Sequence, residues 1–356
     1  MLVYICTLTL VAILGSLEYN QRVALSRYGE GVYRRKGNNL YFYLIVVVFL
    51  FVGGFRYQVG SDFGAYYKYY SETWSDLLVR FKSLDEPLIY LLTNVCRMIW
   101  NEGIFVIFVE NAITVLLVLK GIRDWEYESW TMPLLMYILY CGWSGSFNGV
   151  RQALAGAIIF AFSKNVKKRW ILQYIIVCFI AFLVHKTAIF MLPVLILANR
   201  KFDFKQILLL MGVAIMMPYI GNYALQSIGS SLGTSYATRS VNLIRVVVSF
   251  VPVFTILFTS NEFREENKFL TNMIVINALI TFSTRNSALM YRFSDYTNMY
   301  LMLYIPKLSR IFSCNSKNIF NAVTVTLYFL YFAVELRNGN GNLSHFQWAF
   351  GHFGEY

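Results

Sequence analysis

The sequence predicts an all-α, polytopic integral membrane protein, and three observations predict it. Of 356 residues, 57% are hydrophobic and only 14% charged, whereas soluble domains carry about a quarter charged residues. Apolar stretches recur along the whole length, many near the bilayer-spanning range of about 17–25 residues. Basic residues fall between those stretches, in the pattern that marks one side of a bilayer. There are six prolines, no low-complexity tract and no polar segment long enough for a separate soluble domain. Residues 1–356 therefore read as one integral domain.

Each segment can be justified in turn. The opening "MLVYICTLTLVAILGSL" lacks a basic start, and the arginines follow it at Arg22 and Arg27. It reads as a retained first helix with its N-terminus outside, not as a signal peptide. Further spans are expected at about 38–55, 103–120, 130–144, 150–163, 170–184, 187–199, 206–221, 241–259, 268–283, 293–306 and 318–334. With 2–17 they make about twelve crossings. Six basic clusters hold most of the 31 Lys and Arg: Arg22–Lys36, Lys120 with Arg123, Lys164–Arg169, Arg200–Lys205, Arg264 with Lys268, and Lys307–Lys317. Placing all six in the cytoplasm puts both termini outside. The net charge of +12 is then an orientation signal, not a nucleic-acid footprint. The run "EPLIYLLTNVCRMIW" (86–100) must be a re-entrant or interfacial outer helix, because a span there would move Lys120 and Arg123 outside. The main outer loops are about 56–102 and 222–240. Cys6, Cys96, Cys141, Cys178 and Cys314 show neither metal-ligand nor disulfide spacing and read as packing residues.

The stretch "FLVHKTAIFMLP" (182–193) places His185 and Lys186 between apolar runs. Basic clusters flank 170–199 on both sides, so a hairpin is expected, with His185 and Lys186 at its outer turn. Each arm of about 15 residues reaches roughly 22 Å, against a hydrocarbon core of about 30 Å. The turn should therefore be recessed. Other outer turns behave alike. "GWSGSFNGVRQALAGA" (142–157) supplies Arg151 and Gln152 at a helix start, and "STRNSALMYRF" supplies Arg285 and Arg292. The loop "FRYQVGSDFGAYYKYY" (55–70) offers Arg56, Asp62 and Tyr57, Tyr66, Tyr67, Tyr69 and Tyr70.

Irregular backbone at membrane depth is tolerated only where protein or a wet cavity covers it, and ionisable residues there are functional candidates. Arginines without a comparable number of outer-side acids point to an anionic ligand, gripped through the planar guanidinium fork. Glycine-rich turns leading into helices also aim backbone N–H groups at anions. Tyrosines can stack on sugar rings, which together suggests a lipid-linked sugar diphosphate. Plainer readings stand beside each. An arginine at a helix end can snorkel, the natural reading for Arg97 and Arg239. The tyrosines can form an interfacial belt, Asp62 an ordinary turn, and His185 a satisfied core histidine. Glu110 is an intramembrane carboxylate with no evident partner, and His345 and His352 lie in the tail without an expected chemical role.

"RYQVGSDFGAYYKYY", "FNGVRQALAGAI" and "HKTAIFMLP", in this order and spacing, resemble the EpsG family of Wzy-type polysaccharide polymerases. The stretch after "DEP" and "YRFSDYTNMYLMLYIP" (291–306) fit as well. The ending "WAFGHFGEY" departs from the family pattern, which expects a proline there. The resemblance covers nearly the whole chain and implies a GT-C-like fold in the bacterial cytoplasmic membrane. It implies a glycosyltransferase that joins oligosaccharide repeat units carried on undecaprenyl diphosphate at the outer face, for O-antigen, capsule or exopolysaccharide. The lipid-linked unit is then both donor and acceptor, a chain-length regulator is a compatible partner, and no cofactor is implied.

On that chemistry, Arg151, Arg285 and Arg292, with Arg56 or Lys186, would stabilise the departing diphosphate. Gln152, Tyr57, Tyr66 and Tyr67 would contact substrate. The acceptor hydroxyl needs a base, either His185 or Asp62, and Lys186 beside His185 would oppose its protonation. No acidic metal-binding cluster appears in the outer loops, so a metal-independent, inverting displacement is expected. A ligase of related architecture and a lipid-linked sugar transporter are the competing readings. A transporter would hold its charges near the midplane, often within internal repeats.

Overall fold

A computed structural model describes residues 1–26, 40–68, 72–125, 129–164, 171–200, 212, 215–216, 240–338 and 340–354. Most of the expected span 206–221 and of loop 222–240, with Arg239, lies outside the described residues, as do Tyr69 and Tyr70. The described chain is helical almost throughout: α1 (Leu2–Ser26), α2 (Leu40–Gly54), α3 (Phe63–Lys68), α4 (Trp74–Ser83), α5 (Pro87–Ile99), α6 (Gly103–Asp124) and α7 (Thr131–Leu139) come first. There follow α8 (Val150–Ala161), α9 (Ile171–Val184), α10 (Met191–Ala198), α11 (Leu243–Ile256), α12 (Lys268–Ser283), α13 (Leu301–Ser309) and α14 (Cys314–Arg337). Among the described helices, three are long and apolar enough to cross a membrane, at Leu2–Gln21, Gly103–Asp124 and Cys314–Arg337. The other apolar helices are shorter. The 14 residues of α9 span roughly 21 Å at 1.5 Å per residue, less than a hydrocarbon core of about 30 Å.

Packing follows hydropathy. The apolar α2 lies between α1 and α6, α8 packs on α6 and α9, and α11 packs on α12. Trp143 is fully buried. Tyr4, Phe49 and Phe147 meet its ring edge-on at 6.2, 5.3 and 5.2 Å, contacts worth about 0.5–1.5 kcal/mol each. This aromatic knot anchors the turn between α7 and α8 to the first two helices.

Both chain ends share one face with the loop after α2. The N-terminal ammonium donates to the Ser344 carbonyl at 3.4 Å. Strand β1 (Arg56–Tyr57) pairs antiparallel with β2 (Gln347–Trp348), and the His352 ring stacks on Tyr57 at 3.9 Å. The tail thus has a structural role through His352. Both ends of helix α5 contact the loops and tail around it. Glu86 at its start reaches His185, Arg97 near its end donates to the Tyr67 carbonyl at 2.7 Å, and Trp100 stacks on Phe353. Its apolar side is divided, with Ile89 and Cys96 buried but Met98 and Ile99 exposed. Removing residues 345–356 is expected to lower the unfolding midpoint of the purified protein by about 5 °C, on the order of 2 kcal/mol. An unchanged midpoint would detach the tail from the fold.

Three expected helices are interrupted: α7 stops at Leu139 within 130–144, a 3₁₀ turn at Lys186–Phe190 opens 187–199, and 293–306 is broken as well. Residues 293–306 do not form a continuous span; short turns at Ala288–Tyr291, Arg292–Ser294 and Asp295–Asn298 precede α13. Hydroxyls there compete for the backbone. Ser294 donates to the Tyr291 carbonyl at 2.8 Å, and Thr297 donates to Ser294 at 3.0 Å and to Asn277 on α12 at 2.8 Å.

Candidate functional site

The segment "LDEP" sets the first half of the site. Pro87 occupies the first turn of α5, where its fixed φ suits a helix start, and it disfavours the right-handed helical region for Glu86. Glu86 adopts φ 54° and Leu84 φ 52°, left-handed conformations that cost a non-glycine residue roughly 1–2 kcal/mol. The reversal turns the Glu86 side chain inward, where it is 9% exposed. Its Oε2 accepts from Arg151 Nη1 at 2.6 Å. Its Oε1 accepts from His185 Nδ1 at 2.6 Å and from the Lys186 backbone N–H at 3.1 Å. The neighbouring Asp85 takes the Lys186 ammonium at 2.5 Å and Arg80 at 2.6 Å. Two remote turns therefore meet at one pair of acids.

This arrangement revises the electrostatic reading. The outer-side arginines were expected to outnumber nearby acids, yet Arg151 and Lys186 each carry a carboxylate partner. Lys186 points its ammonium at Asp85, so it is not the group that faces the His185 ring. Glu86 is. A carboxylate only accepts, so Nδ1 of His185 holds the hydrogen and Nε2 keeps its lone pair in the neutral ring. Burial pushes the Glu86 carboxyl up. The His185 hydrogen bond and the Arg151 charge outweigh it and hold the group down at about 2.

The second half joins the loop after β1 to the start of α8. Asp62 accepts the Gly149 backbone N–H at 3.0 Å and the Ser61 hydroxyl at 3.1 Å, with Arg292 Nη2 at 3.8 Å. Asn148 accepts the Ser61 N–H at 2.6 Å and donates to the Gly341 carbonyl at 3.1 Å, which ties in the tail. Gly149 has φ +59°, and Gly60, at φ +104°, leaves no room for a Cβ beside the Phe147 carbonyl. Gln152 donates its side-chain amide to the Arg292 carbonyl. Arg151 and Gln152 are thus consecutive residues serving the two halves. Beside Gln152 and Arg292 opens a cavity of about 530 Å³, lined also by Arg245, Asp295 and Glu335.

Other candidates lie elsewhere. Arg56 is 2% exposed, donates to the Gly53 carbonyl and sits over the Phe147 ring at 4.5 Å. Arg285 turns back on its own helix, donating to the Phe282 carbonyl at 2.9 Å. Tyr57, Tyr66 and Tyr67 are buried together with Phe63 and Ile104 and do not line the cavity. Glu110 is fully buried within α6, in the electrostatic field of Arg56 and Arg151. Sequence reasoning missed Asp85 and Glu86 as site residues, although two acids ahead of a proline-led helix was the available sign. It also missed Arg245, Asp295 and Glu335, single charges at the ends of apolar helices.

The sequence model of the EpsG family matches residues 39–349. The chain belongs to the EpsG family. No curated protein matches it, and no solved structure does. Membership of the EpsG family, with its helical membrane segments, assigns the chain to polysaccharide-polymerase-type membrane proteins. Both halves of the site, Asp62 and Arg292 included, fall inside the matched region.

Proposed function

We propose that this EpsG-family protein is a metal-independent, inverting glycosyltransferase that extends a polysaccharide from undecaprenyl-diphosphate-linked repeat units. It would work at the outer face of the bacterial cytoplasmic membrane, with about twelve crossings, a GT-C-like plan and both termini on the working side. The observation that carries the reading is the junction at Glu86, which joins Arg151 from one turn with His185 and Lys186 from another.

In this mechanism Glu86 holds the His185 ring with Nε2 available. Nε2 takes the acceptor hydroxyl's proton as that oxygen bonds to the anomeric carbon of the donor. The bond from that carbon to the diphosphate oxygen breaks, and its electron pair leaves with the lipid diphosphate. Arg151 and Lys186 would supply fixed positive charge to the departing group, with Arg292 at the boundary with the cavity beside Gln152. Asp62 positions Gly149 at the start of α8 and Arg292 beside it, and is the alternative base.

Purified protein supplied with a synthetic lipid-diphosphate repeat unit is expected to yield a ladder of products. His185→Gln should reduce the ladder at least about 100-fold, the scale of a lost general base, while Asp62→Asn should reduce it less. Reversed sensitivity would make Asp62 the base, and normal ladders from both would remove each from that role. Transfer of finished polymer onto another acceptor, without growth of single units, would make the protein a ligase.

A further inference from the structure

The cavity beside Gln152 has a chemistry different from the Glu86 junction. Its volume of about 530 Å³ lies inside the usual range for ligand pockets, about 300–1,000 Å³. Arg245, from the first turn of α11, and Glu335, from the last turn of α14, face each other across one wall. Arg245 Nε and Nη2 both donate to Glu335 Oε2, at 3.0 and 2.5 Å, and the Glu335 side chain is only 6% exposed. Arg292 and Asp295 supply the other charges of the lining. Among the described lining residues, two guanidinium groups are thus balanced by two carboxylates.

That balance selects the ligand. A diphosphate favours a surplus of positive charge, and this wall, with its described charges paired, supplies none. A hydroxyl-rich, largely uncharged ligand suits the wall well. Carboxylate and amide oxygens accept from its hydroxyls, and guanidinium and amide N–H groups donate to them; Tyr291, whose ring carries the Arg245 guanidinium at 5.2 Å, lines the same wall. Gln152 and Asn298 add amides to the same lining. Burying an ion pair such as Arg245–Glu335 costs desolvation that its attraction repays only in part. Retained charge at membrane depth is a mark of a substrate path.

We infer that this cavity is a carbohydrate subsite, holding sugar rings of the oligosaccharide while the Glu86 junction faces the diphosphate. The inference rests on the polymerase reading for the source of the sugar. Geometry links the two, because Gln152 lines the cavity and the preceding Arg151 pairs with Glu86. Consecutive residues of α8 therefore serve the cavity and the junction.

The test titrates full-length protein in nanodiscs with the oligosaccharide released from the producing strain's own lipid-linked unit, and uses inorganic pyrophosphate as competitor. The sugar is expected to bind and to resist displacement by pyrophosphate. Asn298→Ala should weaken it about ten-fold, the scale of one or two lost hydrogen bonds, and Glu335→Gln should weaken it with the unfolding midpoint of Asn298→Ala unchanged. Displacement by pyrophosphate, or unaltered affinity in both variants, would overturn the subsite. A protein that binds the free sugar but builds no ladder would keep the subsite and remove the polymerase. One that builds a ladder with unaltered KM in both variants would keep the polymerase and remove the subsite.

Discussion

Arg151→Ala is expected to stop chain growth and leave single lipid-linked units to accumulate. The residue sits at the start of α8, behind a glycine whose left-handed backbone aims the helix N-terminus at Asp62. Its Nη1 is held by Glu86 at 2.6 Å, and its side chain is 30% exposed, so the guanidinium is both oriented and accessible. Fixed donors at the point where charge develops contribute most in a water-poor site, and losing one costs about 100- to 1,000-fold in rate. Arg151→Lys should recover only part of this, because a point charge replaces a planar fork. Separation of lipid-linked products by chain length reads the effect. Long chains of normal abundance from Arg151→Ala would remove it from diphosphate stabilisation. Losing Arg151 also removes one of the charges that hold the buried Glu86 carboxyl down, so the unfolding midpoint should fall, and products are compared at a temperature where wild type and variant are both folded.

Glu86→Gln is expected to cost at least about 100-fold in polymerisation, since a general base held in the wrong tautomer loses its function. An amide presents one acceptor and one donor where the carboxylate presents two acceptors. Arg151, His185 and the Lys186 N–H cannot all be satisfied by it. The same variant carries a pH signature. The Glu86 carboxyl is held at about 2, below its ordinary value of 4.5, so the folded state binds fewer protons than the unfolded chain. Its contribution to stability is fully present above pH 4.5 and is lost as the pH falls towards 2. Unfolding midpoints of wild type and Glu86→Gln should therefore differ most near neutrality and converge between pH 4.5 and 2. A constant gap across that window would show that the depressed carboxyl does not stabilise the fold. Activity of Glu86→Gln equal to wild type would separate Glu86 from the orientation of His185.

Much of the helical plan was legible because hydropathy is a local property. Residues 268–283 form one helix over the expected bounds, and 170–184 and 187–199 correspond to α9 and to a short 3₁₀ turn leading into α10. The break at 142–149 follows from glycines that any reading of the sequence registers. Residues 293–306 were harder, because their apolar average concealed hydroxyls that bond back to the chain. The outer cations were visible individually, but their counter-charges were not. Glu86 lies 65 residues from Arg151 and 99 from His185, and no spacing rule connects positions so distant. The Arg245–Glu335 pair spans 90 residues and was equally hidden.

The sequence by itself determined that this chain places helices in a bilayer and carries rare polar breaks at helix ends, since burial of apolar surface and the cost of charge in lipid act on each segment separately. Only the tertiary structure decided which of those breaks meet. A carboxylate chooses among several guanidinium groups by distance and direction, and those are fixed by packing of α5, α8 and α9 against one another. That packing made Glu86 the centre of the junction and set Arg56 and Arg285 apart from it.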